Sequence, residues 1–298
     1  MSFTAEVKNE IINNELSDVA LISRLSSIIS NSVIEENVRI LTENANIARY
    51  IFDKFKDIFK INAKVVVRSG YNYNKNYIYI LEFDDKVLLD RLGIGKNKIP
   101  ENFIIDDDEM KKAYISGAFL MSGSINDPKK SQYHLELLFD NKEYALFFMN
   151  LLNSYYLNSK YLKRDNKYMV YIKESEKISD FLRIINTSNA LFYYEDYRIY
   201  RDHKNMANRL NNCEQANVDK MIQAATNQIN EIKLIKDNGC FELLDDKLKE
   251  VCVYRERYPE SSLQELSEII SLETNNYITK SGLNHRLKKI SEFANKIK

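Results

Sequence analysis

Cysteine and histidine are scarce in this chain, with three residues of each among 298. The cysteines stand at positions 213, 240 and 252, so none has the CxxC spacing of a zinc site, and a disulfide framework is not expected. The histidines, His134, His203 and His285, are scattered and lack a second ligand at metal-binding spacing. We therefore expect neither a metal ion nor any other cofactor, and a reducing compartment fits the cysteine usage.

The chain also lacks an excess of charge of either sign and a long apolar run. Lys plus Arg equals Asp plus Glu at 43 each, so net charge alone does not indicate a nucleic-acid partner. No stretch approaches the length needed to span a bilayer, and the N-terminus lacks the apolar run of a signal peptide. The sequence therefore predicts a cytoplasmic protein that does not bind a membrane.

What the chain does have is an uneven distribution of charge. Residues 276–298 hold six Lys and Arg side chains against one acid, Glu292, whereas Glu101 and residues 106–109 form an acidic cluster. The length allows two domains, and 44% hydrophobic with 29% charged residues is ordinary for a globular protein. Any argument for nucleic-acid binding therefore depends on where the charges sit.

The first two thirds of the chain repeat one pattern of helices and strands. Hydrophobic periodicity predicts the order αββαββα in residues 1–105 and again in residues 106–197. Short strings also match, such as INAKVVVR at 61–68 and LNSKYLKR at 157–164. A repeat at an offset of about ninety residues indicates one duplicated, pseudo-twofold α+β domain.

A helix of the second repeat carries the small residues Ser116, Gly117 and Ala118 and ends in a Ser-Gly-Ser turn at 122–124. This string resembles the LAGLIDADG homing endonucleases, whose paired helices cross at small residues and each deliver one metal-binding acid. The acid positions are assigned here to Ser122 and, in the first repeat, to Ser30, and serine is a poor ligand for the cations that cut phosphodiesters. We therefore predict no catalytic residues, and a saddle of two sheets that suits DNA or a protein partner.

Other acids provide an alternative nuclease site. Asp127 precedes a proline in a turn beyond the helix end, and residues 106–108 precede the helix. Neither arrangement gives two carboxylates that share a metal, so an active nuclease is the weaker interpretation.

The repeat pattern ends at Ser188. Residues 190–200 are aromatic and predict a strand or docking segment, and residues 201–217 are polar and basic, as in a solvated connection or a site of phosphate contact. The candidates for a second DNA contact are Arg201, His203, Lys204, Asn208 and Arg209. Apolar residues at helical spacing predict a helix at 215–235 that ends at Asn238-Gly239, so residues 198–238 are assigned as basic connection and linker helix.

Residues 239–298 predict three short helices. Ser262 and Glu265 have the spacing of a capping box before the second helix, and Thr279 or Ser281 begins the third. The third helix is basic and amphipathic, which is typical of the recognition helix of a helix-turn-helix. The residues assigned to DNA contact are Ser262, Gln264, Lys280, Ser281, Asn284, His285, Arg286, Lys288 and Lys289. A helical docking module with a solvated basic face is the alternative.

Several strings in this order resemble the WhiA family over nearly the whole chain: SFTAEVKNEI, LTENANIARY, AYISGAFLMSGSINDP, NRLNNCEQAN, SLQELSEII and TKSGLNHRLKKI. The resemblance implies a degenerate LAGLIDADG domain followed by an all-α helix-turn-helix domain at about 261–294 that is similar to the promoter-binding region of sigma factors. It also implies double-stranded DNA as partner and a role in sporulation, or in cell division and chromosome segregation.

The resulting hypothesis is a non-enzymatic transcription regulator in the cytoplasm, associated with the nucleoid. The saddle is left either to DNA or to another transcription or division protein. A protein-interaction scaffold with incidental affinity for nucleic acid is the alternative function.

Overall fold

The computed structural model describes residues 2–35, 37–69, 77–83, 87–130 and 132–297. The chain divides into two compact units, Met1–Asp202 and His203–Lys298. No helix among the described residues has the length and apolar character needed to cross a membrane.

The N-terminal unit begins with a helix, α1, that the sequence analysis did not predict, and it then contains two αββαββα repeats, as predicted. The first repeat consists of α2 (Asp18–Ser30), β1 (Val33–Ile34), β2 (Val38–Thr42), α3 (Ala45–Phe59), β3 (Lys64–Ser69), β4 (Tyr77–Phe83) and α4 (Val87–Arg91), after α1 at Phe3–Asn13. The second consists of α5 (Asp108–Ser122), β5 (Gly123–Ile125), β6 (Leu135–Phe139), α6 (Lys142–Asn153), β7 (Lys160–Arg164), β8 (Lys167–Ile172) and α7 (Ser175–Ile184). The predicted turn at 122–124 is largely the short strand β5.

The two repeats form two equivalent antiparallel sheets, with strand orders β1-β2-β4-β3 and β5-β6-β8-β7. One continuous core joins them, because Leu25 of α2 and Phe119 of α5 lie in the same apolar cluster as Ile40 of β2 and Leu137 of β6. The repeats are therefore halves of one domain, since neither half buries its apolar face alone.

Helices α2 and α5 approach each other through small residues. A Cβ atom on Gly117 would lie 2.4 Å from the carbonyl oxygen of Arg24 and 3.0 Å from the Cβ of Ser27. Ser26, Ser27 and Ser116 are also buried at this crossing. The absence of a side chain at Gly117 is what allows the two helix backbones to come this close.

The segment after Ser188 differs from its prediction. The strand or docking segment expected at 190–200 and the solvated connection or phosphate-contact segment expected at 201–217 are both part of one 50-residue helix, α8 (Ser188–Asp237). Ala190 and Tyr194, one helical turn apart, are buried, and the Glu10 carboxylate accepts hydrogen bonds from the backbone N–H groups of Asn189 (2.8 Å) and Ala190 (3.0 Å). Tertiary packing and this cap favour a helix over the strand preference of the aromatic residues.

The C-terminal unit packs the end of α8 against three further helices, α9 (Asp246–Arg257), α10 (Leu263–Thr274) and α11 (Lys280–Ile297). Ile232 and Ile235 of α8 share a core with Leu266 and Leu287. The predicted domain boundary at 238/239 therefore differs from the division at 202/203. Gly239, with a φ of +71°, lies in a tight turn within the helical module, where a left-handed residue ends the helix.

We expect Gly117→Ala to lower the free energy of unfolding of the N-terminal unit by about 1–3 kcal/mol, because the new methyl group would have to displace the backbone of α2. Ser122→Ala, at the partly exposed end of the same helix, should change it by less than about 0.5 kcal/mol. Urea denaturation followed by circular dichroism measures both. Equal stability of the two variants would contradict the close crossing.

Candidate nucleic-acid interface

Helix α11 presents a polar face that is supported by a buried apolar stripe. The side-chain oxygen of Thr279 accepts a hydrogen bond from the Gly282 N–H at 3.1 Å, so Thr279 rather than Ser281 caps the helix. Leu283, Leu287 and Ile290 are buried in the core of the C-terminal unit. Because this stripe is buried, the opposite face of α11 is exposed to solvent.

Six of the predicted contact residues lie on or beside that face without a partner. None of them forms an ion pair or side-chain hydrogen bond with any residue that the structure describes: Lys280, Ser281, Asn284, His285, Lys288 and Lys289. Asn284 is half-buried and the other five are exposed. Their donors and acceptors are thus available to a ligand, and the spacing along one helix suits a major groove.

Three predicted contact residues have structural partners. The guanidinium of Arg286 lies 3.5 Å from the carboxylate of Glu250 and ties α11 to α9, so its charge is compensated within the module. The amide of Gln264 donates to Glu268 at 2.7 Å. Ser262 forms the predicted capping box, because its hydroxyl accepts from the Glu265 N–H at 3.2 Å and its own N–H donates to the Glu265 carboxylate at 2.8 Å.

The capping box has an electrostatic consequence. The backbone N–H of Ser262 and then its side chain hold the pKa of Glu265 below the usual value of 4.5. A carboxyl whose pKa is lowered in the folded state contributes stability above its unfolded pKa, and this contribution is lost as the pH falls through the lowered pKa. The N-terminus of α10 is therefore best held at neutral pH.

Tyr277 is a candidate contact that sequence reasoning missed. Its side chain is 87% exposed in the turn before α11, beside the 80% exposed Leu272, and both line a cavity of about 650 Å³ with Lys280 and Ser281. A tyrosine this exposed can donate its hydroxyl to a phosphate or pack its ring on a base. The sequence signal was an aromatic residue placed two positions before a helix cap.

The proposed second contact segment is divided between the two units. Arg201 donates to the carbonyl oxygen of Lys130 at 2.8 Å, and its guanidinium lies 4.4 Å from the ring centre of Tyr133, so it fastens α8 to the N-terminal unit. The other four candidates are exposed on the part of α8 that belongs to the C-terminal unit: His203, Lys204, Asn208 and Arg209. Arg201 therefore has a structural role that the other four do not share.

The helix ends and the strand register relate Ser122 to different residues of the first repeat, because α2 ends at Ser30 and is capped by Asn31. Ile34 pairs with Val38 as Ile125 pairs with Leu135 in the second sheet, and counting back three residues from Ile34 and from Ile125 gives Asn31 and Ser122. Ser30 points into the core and is 1% exposed. The two alignments differ by one residue, and both Ser30 and Asn31 are neutral.

Neutral groups close both helix ends. The Asn31 amide donates to the Ser27 carbonyl oxygen at 2.8 Å and to the Tyr144 hydroxyl at 3.1 Å, and the Ser122 hydroxyl donates to the Ala118 carbonyl oxygen at 2.9 Å. Burial raises the pKa of Tyr144 to about 12. Within the described part of the chain, no three His, Cys, Asp or Glu side chains come together as a metal site would require.

Carboxylates compensate some of the cations on the sheets. Glu82 lies 3.3 Å from Arg39 and 3.9 Å from Lys64, all on one face of the first sheet. In the second sheet, Glu136 lies 3.0 Å from the ring of His134 and 4.0 Å from Arg164. Arg68 and Lys160, on the same faces, form no ion pair with any residue that the structure describes. The acids therefore reduce the positive charge of the sheets without removing it.

Comparison with known proteins accounts for the whole architecture. The family models that match are the WhiA N-terminal LAGLIDADG-like domain at 13–95, the WhiA LAGLIDADG-like domain at 111–204 and the WhiA C-terminal HTH domain at 207–294. The chain belongs to the WhiA family. "Probable cell division protein WhiA" from Staphylococcus aureus strain JH9 is 41% identical over 310 residues, covering 100% of this chain and 98% of the relative, and the protein of strain Newman matches equally.

Solved WhiA structures share the fold. Full-length DUF199/WhiA from Thermatoga maritima has a TM-score of 0.60 at 24% identity, covering 99% of each chain. The isolated N-terminal LAGLIDADG domain of DUF199/WhiA has a TM-score of 0.52 at 21% identity, covering 62% of this chain and 90% of that domain. The predicted fold class, a duplicated LAGLIDADG-like domain followed by a helix-turn-helix domain, is confirmed.

We expect Ser262→Ala to lower the free energy of unfolding of the C-terminal unit by about 0.5–2 kcal/mol, because the N–H of Glu265 loses its acceptor. Ser261→Ala is the matched control, since Ser261 contacts Arg255 and Tyr258 through backbone atoms that alanine retains. Differential scanning calorimetry of the full chain measures both variants. A Ser262→Ala transition that coincides with wild type would show that the box does not stabilise α10.

Proposed function

We propose that this WhiA family member is a non-enzymatic DNA-binding regulator whose sequence readout lies on α11. The observation that carries the proposal is the unpartnered polar face of that helix, held outward by Leu283, Leu287 and Ile290. Asn284 and His285 lie nearer the N-terminus of the helix, where a helix-turn-helix contacts base edges. Lys288 and Lys289 lie one turn later and suit phosphates.

The cellular role proposed here is transcription regulation linked to cell division and chromosome segregation, in the cytoplasm on the nucleoid. The name of the Staphylococcus aureus relatives supports the division part. The exposed residues of α8, His203, Lys204, Asn208 and Arg209, are proposed as a second phosphate contact beside the module.

We propose that the two-sheet saddle binds another transcription or division protein rather than DNA. Support comes from the pairing of Arg39 and Lys64 with Glu82, which leaves fewer uncompensated cations for phosphates. We propose that the segments 1–105, 106–197, 198–238 and 239–298 have separate functions. The end of α8 also stabilises segment 239–298, because Ile232 and Ile235 pack in its core. The alternative, a scaffold with incidental nucleic-acid affinity, predicts a shallow dependence of DNA binding on salt.

The polar face of α11 should divide by role. Lys288→Ala and Lys289→Ala each remove a phosphate partner, so each should weaken specific and random duplexes together and reduce the log-log salt slope by about one. Asn284→Ala and His285→Ala should lower specific affinity by roughly 1–3 kcal/mol and leave random-duplex binding nearly unchanged. Fluorescence anisotropy titrations compare a duplex selected from a random library by the full-length protein with a scrambled duplex.

Arg286→Ala provides the matched control for the lysine variants. Its charge is compensated by Glu250, so its removal should reduce module stability more than the salt slope. If the lysine, Asn284 and His285 variants all bind both duplexes like wild type, α11 does not recognise the DNA sequence. DNA binding would then have to involve the exposed residues of α8.

The protein should not cleave DNA. Because Asn31 and Ser122 are neutral and bonded within the domain, we expect no cleavage of supercoiled plasmid above background with Mg²⁺ or Mn²⁺. Asp127→Ala controls for the alternative acid. Metal-dependent cutting that this variant abolishes would refute the non-enzymatic assignment.

A further inference from the structure

Arg24 is a charged side chain buried without a counter-charge. It is 2% exposed in the middle of α2. Its Nε donates to the Ser116 hydroxyl at 2.9 Å, and its Nη1 donates to the Ile11 carbonyl oxygen at 2.9 Å and to the Tyr50 hydroxyl at 3.2 Å. All three acceptors are neutral, whereas buried guanidinium groups are normally paired with carboxylates or phosphates.

One edge of this guanidinium is unused. Arginine has five N–H donors in a fixed planar arrangement, and three of them are accounted for by these bonds. Nη2 makes no hydrogen bond with any residue that the structure describes. Arginine keeps its charge at every physiological pH, so deprotonation cannot relieve the burial.

Arg24 lines a cavity of about 280 Å³ within the N-terminal unit. Its walls come from the α1–α2 connection, from α5 and from the α7–α8 connection, and they include Leu16, Ala113, Ser116 and Ile185. A volume of this size holds a small molecule of a few heavy atoms. The cavity is partly open to solvent, and it offers a charged, pre-positioned donor at its buried side.

The other cations of the lining are already compensated. Lys112 pairs with Asp108 at 2.6 Å, and Arg183 pairs with Asp180 at 2.7 Å. Arg24 is thus the one lining cation that forms no ion pair within the described part of the chain. The lining also contains the exposed carboxylate of Glu15 and that of Glu109, which accepts from the Ser17 hydroxyl at 2.9 Å.

We propose that this cavity is an effector site for a small oxyanion, a carboxylate or a phosphate, bound by Arg24. The ligand oxygen would accept from Nη2 and supply the missing counter-charge, and Arg24 already contacts α1, α3 and α5. Occupancy would therefore stabilise the packing of these three helices around α2. The cavity belongs to the N-terminal unit and α11 to the C-terminal unit, so the proposal does not rest on the proposed DNA readout.

The test is calorimetric unfolding of the full chain in sodium acetate and, separately, in inorganic phosphate, each against sodium chloride at equal ionic strength. A bound oxyanion at about ten times its Kd should raise the Tm of the N-terminal transition by roughly 3–6 °C beyond chloride. Acetate and phosphate distinguish the two ligand classes. Phosphate also stabilises proteins by exclusion from their surface, so the decisive quantity is the shift lost in Arg24→Met.

Arg183→Met is the matched control, because it removes a cavity cation that is already paired, and it should keep most of the shift. Glu15→Gln removes a repulsive carboxylate and leaves Arg24 intact, so it should lower the phosphate Kd at least about twofold by titration calorimetry. This variant also serves if Arg24→Met does not fold. Equal shifts in wild type and Arg24→Met, or an unchanged phosphate Kd in Glu15→Gln, would overturn the proposal and leave Arg24 as a structural tie.

Discussion

The N-terminal unit depends on the contact between Gly117 of α5 and the backbone of α2. The 2.4 Å that would separate a Cβ atom from the Arg24 carbonyl oxygen leaves no room for a side chain. Because the two helices cross this closely, Leu25 and Phe119 enter one core with residues from both sheets. The pseudo-twofold domain is held by this crossing, and the sheets follow from it.

The same crossing belongs to a LAGLIDADG-like domain whose helix ends carry neutral side chains. In the LAGLIDADG arrangement the helix ends meet where metal-binding acids would stand, and here Asn31 and Ser122 are bonded to neutral groups of their own domain. Asn31 and the buried Tyr144 form a local network that needs no metal. The polar groups at both helix ends are thus satisfied within the N-terminal unit.

In the C-terminal unit, the helix-capping residues and the apolar packing specify the same helices. The capping box at Ser262, the cap at Thr279 and the apolar stripe of α11 all specify the same three-helix arrangement. Arg255 stabilises the turn between α9 and α10, because its guanidinium donates a hydrogen bond to the Ser261 carbonyl oxygen at 2.7 Å. Six polar residues on or beside the remaining face form no ion pair or side-chain hydrogen bond with any residue that the structure describes: Lys280, Ser281, Asn284, His285, Lys288 and Lys289.

The sequence by itself determined the duplication, the helix-turn-helix and the absence of acids at the helix ends, because these depend on periodicity, capping spacing and residue type. Only the tertiary structure decided the rest. The strand register related Asn31, the C-cap of α2, to Ser122. Ala190 and Tyr194 of α8 pack into the core of the N-terminal unit, and Glu250 forms an ion pair with Arg286. Each of these depends on contacts between residues far apart in the chain, and local pattern carries no information about which distant partner will satisfy a side chain.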